Sequence, residues 1–208
     1  SAFPMAANIF GTLARTKFIF RSTLRRVEAM LSAKADPARV LKKPSLWPGL
    51  ALGGWHTLPR TVKNGPILAR TTSVSRLPQL VSWPMDGGAY VTLPLVYTES
   101  PSKPGYMGSN LGMYRIQVYD PQLVGLHWQL QKVAARHGRR YYQTGQRMPV
   151  AIFLGGDPVY AFCATAPLPD GLDEFLLAGY LRKRSVEMTP CVSVPLEVPA
   201  DADFVLEG

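Results

Sequence analysis

Ser109-Asn110-Leu111-Gly112-Met113-Tyr114-Arg115-Ile116-Gln117-Val118-Tyr119-Asp120 is the stretch whose reading decides the fold. From Met113 to Tyr119, β-branched and aromatic residues alternate with polar ones, the pattern of a strand with one wet face. Arg115 and Gln117 are then expected on the same side. Arg115 offers a rigid fork of donors that matches a carboxylate or phosphate, and Asn110, placed just before the strand, offers an amide oxygen suited to a hard cation. The stretch therefore reads as a corner for an anion and a metal.

The 208 residues are enough for one large domain, or one domain with a helical preface, and for a sizeable core. Hydrophobic residues make up 47% and charged residues 18%, which excludes a disordered, solvated chain. A formal charge of +9 raises the question of a polyanionic partner. The basic residues are dispersed in short groups, Arg21/Arg25/Arg26, Lys42/Lys43, Arg136/Arg139/Arg140 and Arg182/Lys183/Arg184, with no nucleic-acid-reading signature between them. Solvated faces are the expectation, and no nucleic-acid partner. The two cysteines, Cys163 and Cys191, lie in apolar runs without metal-ligand spacing, which predicts a reducing, cytoplasmic setting and no structural zinc. No apolar run approaches the ~20 residues of a membrane span. Ser1 stands where an initiator Met is usual, so a trimmed segment is expected.

Asn8 is placed to cap a helix running to about Lys34, and Asp36 to Gly54, rich in Pro and Gly, reads as a linker. Strands are predicted at Ile67–Ala69, Ala89–Tyr97, Met113–Tyr119, Val124–Leu130, Met148–Leu154 and Val159–Thr165, with two more around Pro199 in Cys191–Leu206. Helices are predicted at Gln131–Gly138 and Asp170–Leu181, the second with acids at its start and Arg182, Lys183 and Arg184 at its end. The expected class is α+β: a mostly antiparallel split β-barrel with flanking helices and an N-terminal helical segment. Residues 1–58 form the helix and linker in this division, and residues 59–208 the barrel.

The order of short blocks resembles the UbiD family of prenylated-FMN-dependent decarboxylases over most of the chain. Those blocks include Arg76-Leu77-Pro78, Ser82-Trp83-Pro84, Asn110 to Gln117, His127-Trp128-Gln129, Leu154-Gly155-Gly156-Asp157-Pro158, Ala166-Pro167-Leu168-Pro169 and Ala178-Gly179-Tyr180-Leu181-Arg182. The resemblance implies a flavin-reductase-like split barrel that binds prenylated FMN through a divalent metal, usually manganese, with potassium as a monovalent companion. It assigns metal ligation to Asn110, Gln131 and Glu174, the cofactor lining to Thr92, Met113, Tyr114, Arg115, Thr165, Ala166 and Pro167, and catalysis to Arg115, which would hold the substrate carboxylate. It also implies a flavin prenyltransferase as cofactor supplier, and either a homo-oligomer or a partner subunit.

Two departures qualify the expectation. Family members carry a histidine where this chain has Gln131, and an amide is a weaker ligand than an imidazole. His127, four residues earlier, could substitute only with a backbone shift, and His56 and His137 read as surface residues. The acid-bearing segment and second domain that follow the family's barrel lie beyond Gly208, so this chain by itself is expected to lack the proton donor that decarboxylation needs. The expected function is the cofactor-binding part of a decarboxylase for aromatic or α,β-unsaturated acids. The alternative is a non-catalytic flavin-binding or accessory subunit.

Overall fold

The structure, a computed structural model, describes residues 4–23, 28, 53–168 and 172–208. In chain order its first half contains α1 (Leu13–Ile19), β1 (Arg60–Thr61), β2 (Tyr90–Val91), β3 (Leu95–Glu99), β4 (Ser109–Met113), β5 (Ile116–Val118) and β6 (Val124–Leu126). There follow α2 (Val133–Gln143), β7 (Ala151–Leu154), α3 (Pro158–Thr165), α4 (Glu174–Arg182), β8 (Glu187–Pro190), β9 (Glu197–Pro199) and β10 (Phe204–Glu207).

Strict alternation along β3 and β7 builds the centre. Leu95 and Tyr97 of β3, with Ala151 and Phe153 of β7, enter one core; Val96 and Ile152, between them, enter another. The antiparallel sheet β10-β7-β3-β4 is thus buried on both faces. Its first face is covered by α3 and α4, whose Tyr160, Cys163, Phe175, Ala178 and Leu181 are almost fully buried. The second face is covered by the smaller antiparallel sheet β2-β5-β6, through Val91 and Ile116. A third sheet, β1-β8-β9, mixes a parallel and an antiparallel pair and adds Met188 and Val198 to the first core. Mixed α+β architecture is therefore established, while the three sheets are not joined into a closed barrel.

Several local expectations are corrected. Met113–Tyr119 is not one strand: β4 ends at Met113, the chain turns at Tyr114 and Arg115, and β5 joins a different sheet. Asn110 lies inside β4, paired with Thr98, rather than ahead of the strand. Ala89–Tyr97 divides in the same way, with Leu93 at φ 57 between β2 and β3. Val159–Thr165 is the helix α3, started by Asp157, whose side chain accepts from the Val159 N–H, and by Pro158 in the first turn. Ile67–Ala69 falls in a short 3-10 turn, Pro66–Ala69. Asn8 does not cap α1; it adopts φ 54, and Thr12 caps instead by accepting from the Arg15 N–H at 3.2 Å. Residues 20–23 form a turn after α1; apart from them and residue 28, the rest of the expected N-terminal helix and nearly all of the linker lie outside the described residues. Among those described, no helix is long and apolar enough to cross a membrane.

Candidate functional site

Arg115 stands at the turn between two sheets, a position its neighbours define closely. Ile116 is buried and anchors β5 to β2, so the preceding residue has little freedom. The guanidinium lies 3.7 Å from the centre of the Tyr90 ring, a stacked cation–π contact. Its Nη1 and Nη2 donate to Asp86 Oδ1 and Oδ2 at 2.9 and 2.6 Å. The Arg115 guanidinium, helped by the N–H groups of Trp83 and Ser82, holds the Asp86 carboxyl down at about 2, and the arginine is pushed up in return. Asp86 is a site residue that the linear sequence did not single out. Its role depends on a loop folding back across β5.

Asn110, Gly112 and Tyr114 share the second face of the central sheet. A Cβ at Gly112 would run into the Tyr114 phenol, which is laid back over the strand, so any larger residue would have to displace that ring. The Asn110 amide is buried; its Nδ2 makes no hydrogen bond of good geometry, although the Tyr114 hydroxyl lies close enough to feel the amide. Amide oxygen and nitrogen exchange by a simple flip, so this group can equally present an unpaired oxygen to a cation.

Glu174 reaches the same strand from the start of α4. β4 is the edge of the central sheet, and Glu174 Oε2 accepts from the Leu111 N–H at 2.8 Å. One residue before, Asp173 caps α4 by accepting from the N–H groups of Phe175 and Leu176 and also accepts from the Ser109 hydroxyl. The acidic end of one helix therefore covers an otherwise open strand edge. Burial pushes Asp173 up to about 6 and Glu174 up to about 7, against the hydrogen bonds that favour their ionised forms. Burial pushes Tyr114 up as well, against the Asn110 amide, which favours the ionised phenol, and with a smaller push from the charge of Glu174. Asn110 and Glu174, the latter held at the N–H of the next residue, Leu111, bring an amide and a carboxylate to one strand, oxygen donors of the kind a hard cation takes.

The remaining expected residues are placed less closely. Gln131 is exposed, and its Nε2 donates to Gln129 Oε1 at 3.0 Å, so it does not join Asn110 and Glu174. His127 is exposed too. Among the described residues, no group of three or more His, Cys, Asp or Glu gathers around a common point. Thr92 lies half-buried at the bend between β2 and β3, and Met113 at the end of β4 packs against the first core. Thr165 ends α3; Ala166, next to it, packs on the same core as Met113, and Pro167 is exposed. His137, expected at the surface, is buried, with its Nδ1 3.1 Å from the Thr98 hydroxyl. Hollows of about 590 and 300 Å³ lie against α1 and between α1, α3 and α4, and none of the expected site residues lines either of them.

Known proteins are similar to this chain in sequence and fold. The family model described as UbiD, 3-octaprenyl-4-hydroxybenzoate carboxy-lyase Rift-related domain, matches residues 59–208. A Chlamydia pneumoniae protein named as a subunit of 4-hydroxybenzoate decarboxylase is 34% identical over 213 residues, 100% of this chain and 36% of that relative. The vanillic acid decarboxylase of Sedimentibacter hydroxybenzoicus in its closed form superposes with a TM-score of 0.69 at 26% identity, covering 76% of this chain and 36% of that one. The UbiD-class enzyme HmfF of Pelotomaculum thermopropionicum, solved with FMN, has the same fold at 23% identity and a TM-score of 0.66, over 76% of this chain and 37% of its own. The chain thus spans about a third of the length of these proteins.

Proposed function

From the premise that this chain belongs to the UbiD family, we propose that it forms the cofactor-binding part of a prenylated-FMN-dependent decarboxylase acting on aromatic or α,β-unsaturated carboxylic acids. The observation that carries the reading is Arg115: a guanidinium held at a sheet-to-sheet turn, stacked on Tyr90 and still one-third exposed. A fixed guanidinium at a partly open position, with N–H donors left beyond those given to Asp86, is suited to orienting a carboxylate for loss of CO₂.

In this scheme Asn110 and Glu174 would hold a divalent metal, manganese being the proposed ion, with potassium as a companion, and the metal would supply positive charge for the phosphate of the flavin. Gln131 belongs to the set only if the Gln129–Gln131 turn moves. Thr92, Met113, Tyr114, Thr165, Ala166 and Pro167 are proposed to line the cofactor. When bound, the modified flavin supplies an acceptor for the electron pair that remains as CO₂ departs. Arg115 orients the carboxylate. Asp86 is not the proton source, because its carboxyl is held near 2 and stays ionised at neutral pH. A donor other than Asp86 is therefore needed for the product, and we propose that a partner subunit or further chain supplies it and that a flavin prenyltransferase supplies the cofactor.

A second reading, a non-catalytic flavin-binding subunit, is favoured by the outward placement of Gln131 alone. One experiment separates the two. The chain, combined with the rest of a family-length protein and supplied with prenylated FMN and Mn²⁺, is expected to take on a flavin absorption spectrum and release CO₂ from an aromatic acid. Arg115→Ala should keep the spectrum and lose at least about 100-fold in turnover. A coloured complex indifferent to Arg115→Ala would sink the catalytic reading.

A further inference from the structure

Asp86 has no part in the chemistry proposed above, yet it is the best-fixed group around Arg115. Its Oδ2 accepts from the N–H groups of Ser82 and Trp83 at 3.0 and 3.1 Å, and its own N–H donates to the Trp83 carbonyl at 3.1 Å. The loop that carries it is closed at the neck by reciprocal Leu80–Tyr90 hydrogen bonds of 2.8 and 2.9 Å. Gln117 Nε2 donating to the Gly87 carbonyl at 2.7 Å, and the Val118 N–H donating to the Ala89 carbonyl at 2.9 Å, tie its far side to β5. The Asp86 side chain is 8% exposed, that of Arg115 36%. The acid is enclosed, and the open part of the pair belongs to the arginine.

Guanidinium geometry then limits what else can bind. Asp86 takes one N–H from each Nη, which fills the end-on fork. Of the five N–H donors of an arginine, Nε–H and the outer Nη hydrogens remain. We infer that Asp86 is a positioning residue that fills the end-on fork of Arg115, cancels its charge, and leaves the side-on edge, Nε–H with a neighbouring Nη–H, as the seat of the substrate carboxylate. This rests on the proposed role of Arg115 as the carboxylate clamp. The benefit is in the chemistry. As the carbon–carbon bond breaks and CO₂ leaves, the negative charge departs from the guanidinium with the electron pair retained by the substrate carbon. A full positive charge at Arg115 would hold the starting carboxylate more tightly than the transition state, whereas a neutralised pair orients it without that penalty.

The test is benzoate binding to the chain, followed by NMR on the arginine side-chain resonances and by titration, for the native chain, Asp86→Asn, Arg115→Lys and the double variant. In the native chain, benzoate should shift the Arg115 Nε–H resonance and leave the Asp86 carboxyl carbon unmoved. Asp86→Asn should bind benzoate roughly five- to tenfold more tightly at low salt, as expected for removing one like charge a few ångströms away, and the gain should vanish in the Arg115→Lys background. A shift of the Asp86 carboxyl carbon on adding benzoate would mean that the acid is displaced, and would overturn the inference without any variant having to fold. Equal or weaker binding by Asp86→Asn, with affinity still dependent on Arg115, would also overturn it while leaving the clamp in place. Affinity indifferent to Arg115→Lys would remove the clamp itself, and the inference with it.

Discussion

His137 of α2 is buried against β3, with the Thr98 hydroxyl as its partner. Burial, with the nearby charges of Arg140 and Arg136, pushes its pKa down to about 4 from 6.5. The unfolded chain therefore takes up the proton first as the pH falls. The contribution of neutral His137 is complete above about 6.5 and is lost between 6.5 and 4, by about 3 kcal/mol at most. His137→Gln, which keeps a polar group opposite Thr98, is expected to flatten the decline in urea-unfolding free energy between pH 7 and pH 4 relative to the native chain. At this scale, Asn110, Arg115 and Glu174 could be nominated from local motif alone. His137 could not be placed, because a lone histidine beside arginines reads as solvated until the strand that carries Thr98 is packed against it. Asp86 was hidden for a related reason: its partner is 29 positions away.

Among the elements, α4 shows how one terminus serves both stability and the site. Asp173 caps two N–H groups and accepts from Ser109, and its neighbour Glu174 takes the edge N–H of Leu111. Asp173→Ala should cost about 1–2 kcal/mol by loss of the cap, measured by urea denaturation, and Asp173→Asn, which retains a capping oxygen, should recover most of it. The end of this helix was legible from its Arg182-Lys183-Arg184 tail, whereas its start lies at Glu174 with Asp173 as the cap, past the expected Asp170. α3 replaces the strand expected there, since Val159-Tyr160-Ala161-Phe162-Cys163 is a short apolar run that periodicity cannot assign. The signal that decides it is Asp157-Pro158, a capping acid followed by a proline fit for a first helical turn. The break at Tyr114 and Arg115 left no such signal. Polar and apolar residues keep alternating through it, so the pattern is blind to a change of sheet.

For the molecule as a whole, Phe175 ties the layers together. Its ring lies 5.6 Å from Tyr97 of β3, 6.1 Å from Phe153 of β7 and 6.0 Å from Tyr160 of α3, centroid to centroid. Phe175→Ala is expected to cost about 3–5 kcal/mol. Because one core joins the helices to the central sheet, far-UV dichroism and tryptophan fluorescence should report the same lowered midpoint; separate transitions would argue against a single cooperative unit.

By itself the sequence determined the α+β class, the existence of most elements, the family, and the residue types at Asn110, Arg115 and Glu174, because capping, alternation and short ordered motifs are local properties. Tertiary structure alone decided which strands share a sheet, that the chain changes sheets at Arg115, that Glu174 closes the free edge of β4, and that Asp86 fills the arginine's fork. Those outcomes depend on contacts between residues tens of positions apart. What brings them together is the burial of both faces of one sheet, and no window along the chain contains both partners.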